Sequence, residues 1–242
     1  TNVNEASVSA VSDSDASANA VAENASNGTV VGIDALATDI DTSDTITYSL
    51  ADASGTLDDA GGRFTINTST GVVTVANGTL LDREAAASHG ITIRADSSDG
   101  SFSVQTFTIS LTPVNDNPPV ITSNGGGATG SPSVAENSTA VTTVTVTDAD
   151  LPGDTFTYSI IGGADAALFS IDAGGSLTFN AAPNVESPSD SGTDNVYDVQ
   201  VQVSDGVNTD SQALAITVTN VNEGAVSAVS DSDAAANAVA EN

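Results

Sequence analysis

The chain has 242 residues, 32 of them acidic and 3 basic, with a formal net charge of -29 and no cysteine. That length admits two ordinary domains, and the missing cysteines exclude disulfides and thiolate metal sites. The only basic residues besides His89 are Arg63, Arg83 and Arg94, too few for a nucleic-acid surface and ill suited to an anionic membrane.

No stretch is apolar for long enough to span a bilayer, and no signal peptide is visible. The chain opens without an initiator methionine, which reads as an internal start within a longer protein. A charge this lopsided also suits disordered chains, and self-repulsion opposes compaction unless counter-charge is supplied. The patterning below argues for folding instead.

Residues 1–24, TNVNEASVSAVSDSDASANAVAEN, return at 219–242 with changes only at Ala6/Gly224, Ser7/Ala225 and Ser17/Ala235, an offset of 218 residues. The chain therefore covers one period of a longer array and enters the next. Within that period the sequence repeats again. VAEN at 21–24 returns at 134–137, ITYSL at 46–50 as FTYSI at 156–160, and RFTINTSTGVVTV at 63–75 as LFSIDAGGSLTF at 168–179. The dipeptide DG at 99–100 returns at 205–206, and VNDN at 114–117 as VNEG at 221–224.

The predicted elements are strands. In chain order, ITIRA (91–95), SFSVQTFTISL (101–111), TTVTVT (142–147) and YDVQVQVSD (197–205) alternate apolar and polar residues, as half-buried antiparallel strands do. Clusters of Gly, Asn, Asp and Ser separate them at sandwich-like intervals. The best short helical candidate is DREAAAS at 82–88. The expected fold is all-β: two tandem Greek-key sandwiches of about seven strands each, over 1–114 and 118–221, with 222–242 a linker and the first strand of an incomplete repeat. Residues 225–242, lacking a domain to join, would be disordered or swapped onto a neighbour.

Acidic residues gather where predicted strands end. Asp39 and Asp41 sit in TDIDTSD, Asp148 and Asp150 in TDADLPGD. In an extended segment, residues two apart point the same way, so each pair would present two carboxylates together. Such pairs repel unless a proton or cation intervenes, and Ca2+, a hard ion taking six to eight oxygens, is the natural cation. Asn115, Asp116 and Asn117 offer further oxygens beside two prolines that stiffen the segment.

Taken together, VAEN, LDRE (81–84), VNDNPP (114–119), DAD (148–150) and SDG (204–206) resemble the calcium motifs of cadherin repeats, in order and over nearly the whole chain. The likeness is closest to the cadherin-like repeats of large bacterial surface or secreted proteins. It implies that Glu23, Asp82 and Glu84, the linker residues Asn115, Asp116 and Asn117, and Asp148, Asp150 and Asp205 of the second module share calcium. It implies half-sites at the outer junctions: Asn4 and Glu5 with Asp39 and Asp41, and Glu136 and Glu186 with Asn222 and Glu223. Either Asp96 or Asp99 would match Asp205.

Four departures from the family pattern stand out. Pro113 replaces the aspartate that usually opens the linker, Asn184 replaces the aspartate that is Asp82 in the first half, and Glu5 and Glu223 replace the linker aspartate. The function implied is a calcium-rigidified extracellular spacer or adhesive stalk, secreted or at the cell surface, whose partners are calcium and neighbouring repeats. Calcium-dependent polysaccharide binding and homophilic adhesion to another cell surface are the alternatives.

Catalysis finds little material. His89 is the sole histidine, so zinc and Ser-His-Asp chemistry are not supported, and it reads as an exposed turn residue. Paired acids suggest a glycosidase, but there is no tryptophan. An EF-hand over 13–24 fails, because Ala18 and Asn24 hold its glycine and bidentate-glutamate positions.

Overall fold

The computed structural model describes residues 7–41, 43–150 and 155–224. Asn4, Glu5 and the duplicated tail 225–242 lie outside the described residues. The chain divides into two compact units. The first comprises Thr1–Pro118 with Asp148–Thr155, the second Pro119–Thr147 with Phe156–Asn242.

Unit 1 contains β1 (Ser12–Asp13), β2 (Ala20–Ala22), β3 (Val30–Leu36), β4 (Ile46–Ala51), β5 (Phe64–Ile66), β6 (Val72–Val75), β7 (Ser88–Ser97) and β8 (Phe102–Thr112). One sheet runs β1-β3-β6-β5, the other β2-β8-β7-β4. Most neighbours are antiparallel, but β2 lies parallel to β8, with Val21 opposite Leu111. That pairing carries the VAEN segment to the end of β8, where the chain leaves the sandwich. Alternation does what the sequence predicts: Ile91, Ile93 and Ala95 of β7 point inward with Val31, Ile33, Val73, Val75 and Ile109, all nearly inaccessible to solvent. Stripping water from these side chains is the principal favourable term. At Gly32, with φ 76°, a Cβ would lie 2.4 Å from the carbonyl oxygen of Ala18, so only glycine suits this break in the β3 register.

Unit 2 repeats the plan with β9 (Val120–Ile121), β10 (Thr129–Gly130), β11 (Ser133–Ala135), β12 (Ala140–Thr143), β13 (Val146–Thr147), β14 (Thr157–Gly162), β15 (Phe169–Ile171), β16 (Ser176–Phe179), β17 (Val196–Ser204) and β18 (Thr209–Thr219). One sheet runs β10-β18-β17-β14, with β11 also parallel to β18, against β12-β16-β15 and the pair β13-β9. Its core centres on Tyr197, packed edge-on to Phe179 with ring centroids 5.1 Å apart. The all-β sandwich architecture is as the sequence predicts.

Two local expectations are corrected. DREAAAS is not a helix. Ala86 N–H reaches the Asp82 carbonyl and the Asp82 side chain accepts from Ala85 N–H, making a single turn that gives way to β7 at Ser88. His89 is not in an exposed turn. It lies in β7 opposite Ile109, half-buried, with its ring 6.2 Å from that of Phe64. Burial, then the charge of Arg63, lowers its pKa.

Candidate metal centre

The candidate site is built on Glu23, which follows β2 and is only 2% exposed. Its Oε1 accepts from Val114 N–H at 2.7 Å, its Oε2 from Arg83 N–H at 2.7 Å. One carboxylate thus ties the end of β2 to the LDRE turn and to the segment leaving β8. Asn24 turns the chain sharply, with φ 53°, and its N–H bonds to the Leu81 carbonyl.

Around this staple, acids converge. Glu23, Asp82 and Glu84 bring carboxylate oxygens within 4.8 Å of one another, and so do Glu84, Asp116 and Asp150. Glu84 belongs to both sets. Asp150 is 4% exposed; its Oδ2 accepts from the N–H groups of Asp116 and Asn117 at 3.1 and 2.9 Å. The Asn117 amide donates to Asp116 and Asp150, and that of Asn24 to Asp116. Asn115 stands between the anchor point Val114 and Asp116. Asp148 accepts from Asp150 N–H through Oδ1 at 3.1 Å, while its buried Oδ2 accepts no hydrogen bond.

Partial desolvation in the cleft raises the pKa of Glu84 even though its side chain stays exposed, helped by a hydrogen bond with Glu23 and the charges of Glu23 and Asp150. Asp116 is raised by the same loss of hydration and by Glu23 and Asp150. The one ion pair among the described residues, Arg94 with Asp96, does not involve any of these acids. Five carboxylates, the Asn117 side chain among them and a buried Asp148 oxygen without a hydrogen bond suit a hard divalent cation with oxygen ligands. The arrangement thus fits calcium.

A pH effect follows. In the metal-free chain, Glu84 and Asp116 hold protons in the folded state at pH values where the unfolded chain has released them. The folded state then binds more protons, so stability rises as pH falls from neutral towards the ordinary carboxylate pKa of about 4. Urea unfolding in chelator at pH 7 and pH 5 reads this; a decrease at pH 5 contradicts it.

Elsewhere the sequence-predicted residues fall as follows. Asp39 and Asp41 join a third acid, Asp44, with carboxylate oxygens within 4.8 Å. Neither DxD pair is extended, as the i, i+2 argument assumed. Each is a bend in which the second aspartate's N–H bonds to the first carboxylate, at 3.1 Å in both Asp41–Asp39 and Asp150–Asp148. A local side-chain bond to the backbone wins over extended geometry here. Asp205, 7% exposed, accepts from Val207 and Asn208 N–H in its hairpin.

Strand register locates the counterpart of Asp205 in unit 1. Tyr158 faces Val203 across β14–β17, and Tyr48 faces Ala95 across β4–β7. Two residues on, Asp205 corresponds to Ser97, itself 6% exposed. Asp96 is on the other face, held by Arg94, whose guanidinium also covers the Phe102 ring at 4.0 Å. Asp99 lies in the hairpin loop between β7 and β8, accepting from Ser101 N–H.

Unit 2 carries the same staple. Glu136, also 2% exposed, accepts from Val221 N–H at 2.7 Å and Val185 N–H at 2.9 Å, bonds that hold its pKa below the usual value. Glu186 accepts from the Asn220 amide, Glu223 from the Asn137 amide, and Asn222 from Gly224 N–H. The sequence reading missed Asp44, Asn24 and the glutamate staples. The VAEN repeat signalled a shared role, but the donating N–H groups are backbone and leave no mark in the residue types.

The comparisons with known proteins agree with this fold. Residues 17–112 match the family model of the cadherin domain. The chain is 32% identical over 171 residues to mouse cadherin-related family member 2, covering 67% of this chain and 12% of that protein. It is 35% identical over 152 residues to human protocadherin Fat 4, covering 61% of this chain and 3% of that one. It therefore spans a small part of the length of these relatives. The crystal structure of mouse cadherin-23 EC22-24 aligns with a TM-score of 0.69 at 26% identity, covering 90% of this chain and 66% of that one. Unit 1 is a member of the cadherin domain family, and unit 2 repeats its strand plan and its glutamate staple. No helix among the described residues is long and apolar enough to cross a membrane.

Proposed function

We propose that this chain is a stretch of an extracellular stalk whose tandem cadherin modules are stiffened by calcium at their junctions. One observation carries the reading: two carboxylate triads share Glu84 and meet at the segment where the chain leaves β8. Glu23, Asp82, Glu84, Asp116 and Asp150 are the proposed anionic ligands. Asp148, Asp205, Asn115 and Asn117 supply further oxygens. When bound, calcium neutralises these charges and ties the LDRE turn, the linker and the DAD loop to one ion cluster.

The near-identical repeat at an offset of 218 residues supports a long array. That array, with its acidic and lysine-free composition, supports the placing in a large bacterial surface or secreted protein. Carbohydrate binding gains little from the aromatic residues: Tyr48, Phe64, Phe169, Phe179 and Tyr197 are buried in the cores, and the exposed Phe102 ring is covered on one face by the Arg94 guanidinium.

Solution scattering and limited proteolysis test the reading. Calcium is expected to increase the maximum dimension of the chain and to protect the bonds between residues 112 and 118 from a nonspecific protease, and chelator is expected to reverse both. Identical curves and digestion patterns in calcium and chelator would end the proposal.

A further inference from the structure

The exit ends of the two units look like copies, yet they differ at the atoms a cation would meet. Their scaffolds superpose bond for bond. Glu23 receives Val114 and Arg83 N–H, and Glu136 receives Val221 and Val185 N–H. Asp82 Oδ1 caps Ala85 N–H at 2.8 Å, and Asn184 Oδ1 caps Ser187 N–H at 2.9 Å. With that bond made, Asp82 keeps a second anionic oxygen. Asn184 presents an amide NH2 group in its place, a donor with no affinity for a cation.

Two further differences point the same way. Pro113 of unit 1 is matched by Asn220, whose amide donates to Glu186 at 2.7 Å. Glu186 is thereby engaged, while its counterpart Glu84 is crowded by other acids. Asn117 is matched by Gly224, which brings no side-chain oxygen. Accordingly, Glu23, Asp82 and Glu84 gather as three carboxylates at the exit of unit 1, whereas the corresponding positions of unit 2 supply two, Glu136 and Glu186, with the Asn184 amide as the third.

Resting on the calcium reading above, we infer that the two exit ends are unequal: that of unit 1 is a high-affinity calcium site, and that of unit 2, with Asn184 in the Asp82 position, is a weak one. An array of such pairs fills in two steps as calcium rises, so alternate junctions stiffen at different concentrations. Calcium affinity depends on the number of charged ligands, and losing one carboxylate together with an engaged second one corresponds to a difference of about tenfold or more.

A calcium titration of the full chain, followed residue by residue by NMR, tests this. Resonances of Asn24, Arg83 and Val114 are expected to saturate at about tenfold lower calcium than those of Asn137, Val185 and Val221. Asn184→Asp, at an exposed position, is expected to narrow the gap from the unit 2 side, and Asp82→Asn to narrow it by weakening unit 1. Equal midpoints in the unaltered chain, or an Asn184→Asp chain with an unchanged unit 2 midpoint, overturn the inference while leaving the calcium reading standing. If no unit 1 resonance responds, the calcium reading itself falls.

Discussion

Calcium at about a hundred times its dissociation constant is expected to raise the melting temperature of unit 1 by about 10–20 °C. By binding linkage, a ligand at 100 Kd that binds only the folded state contributes about 2.7 kcal/mol per site. For a domain of about 100 residues, each kcal/mol moves the transition by about 4–8 °C. The unfolded chain offers no competing site, because Glu23, Asp82, Glu84, Asp116 and Asp150 are brought together only by folding. Two effects of calcium add in the same direction. It cancels part of a net charge of -29, and it relieves the like-charge crowding that raises the pKa of Glu84 and Asp116. Calorimetry in calcium, in magnesium and in chelator measures the shift. Magnesium demands tighter octahedral geometry and gives up its waters reluctantly, so its effect should be smaller. A shift confined to unit 2, or the same shift from any divalent salt, contradicts the assignment.

How much of this was legible beforehand differs by level. The fold was, because period-two patterns such as Ile91-Ile93-Ala95 and Tyr197-Val199-Val201-Val203 state which faces are buried. The acids of the exit end were legible too, because VAEN, LDRE and VNDN are local strings. What was hidden depends on strand register and on backbone donors. Whether Asp96 or Asp99 matched Asp205 could not be settled by counting residues, since the last strand pairs before the two turns differ in spacing, Asp96 with Phe102 in unit 1 and Ser204 with Thr209 in unit 2. Only the pairing of Tyr48 with Ala95 and of Tyr158 with Val203 shows Ser97 in that place. His89 misled for a related reason: a polar residue after a turn-like string looks exposed, yet β7 begins one residue earlier and lays its ring near Phe64. The DREAAAS helix failed because its caps are complete after one turn, and tertiary pairing of β7 overrides the helix propensity of three alanines.

Removing the Glu23 side chain is expected to be the most damaging single change at the site. Glu23→Ala strips the acceptors from two backbone N–H groups, those of Arg83 and Val114, in a place where the carboxylate itself is 2% exposed. Each unsatisfied buried donor costs about 1–3 kcal/mol, so the chelated protein should lose about 2–6 kcal/mol in unit 1. Glu23→Gln separates structure from charge. The amide oxygen can still receive one of the two N–H groups, but its NH2 faces the other, so about half the loss remains and the calcium response shrinks with the missing charge. The equivalent change Glu136→Ala acts on the matching staple of unit 2, between Val185 and Val221, and should lower the transition of that unit while leaving the calcium shift of unit 1 in place. Denaturant unfolding with a probe in each unit resolves the four cases. If Glu23→Ala unfolds at the same denaturant concentration as the unaltered chain in chelator, the staple contributes nothing, and the linker must be positioned by something other than this carboxylate.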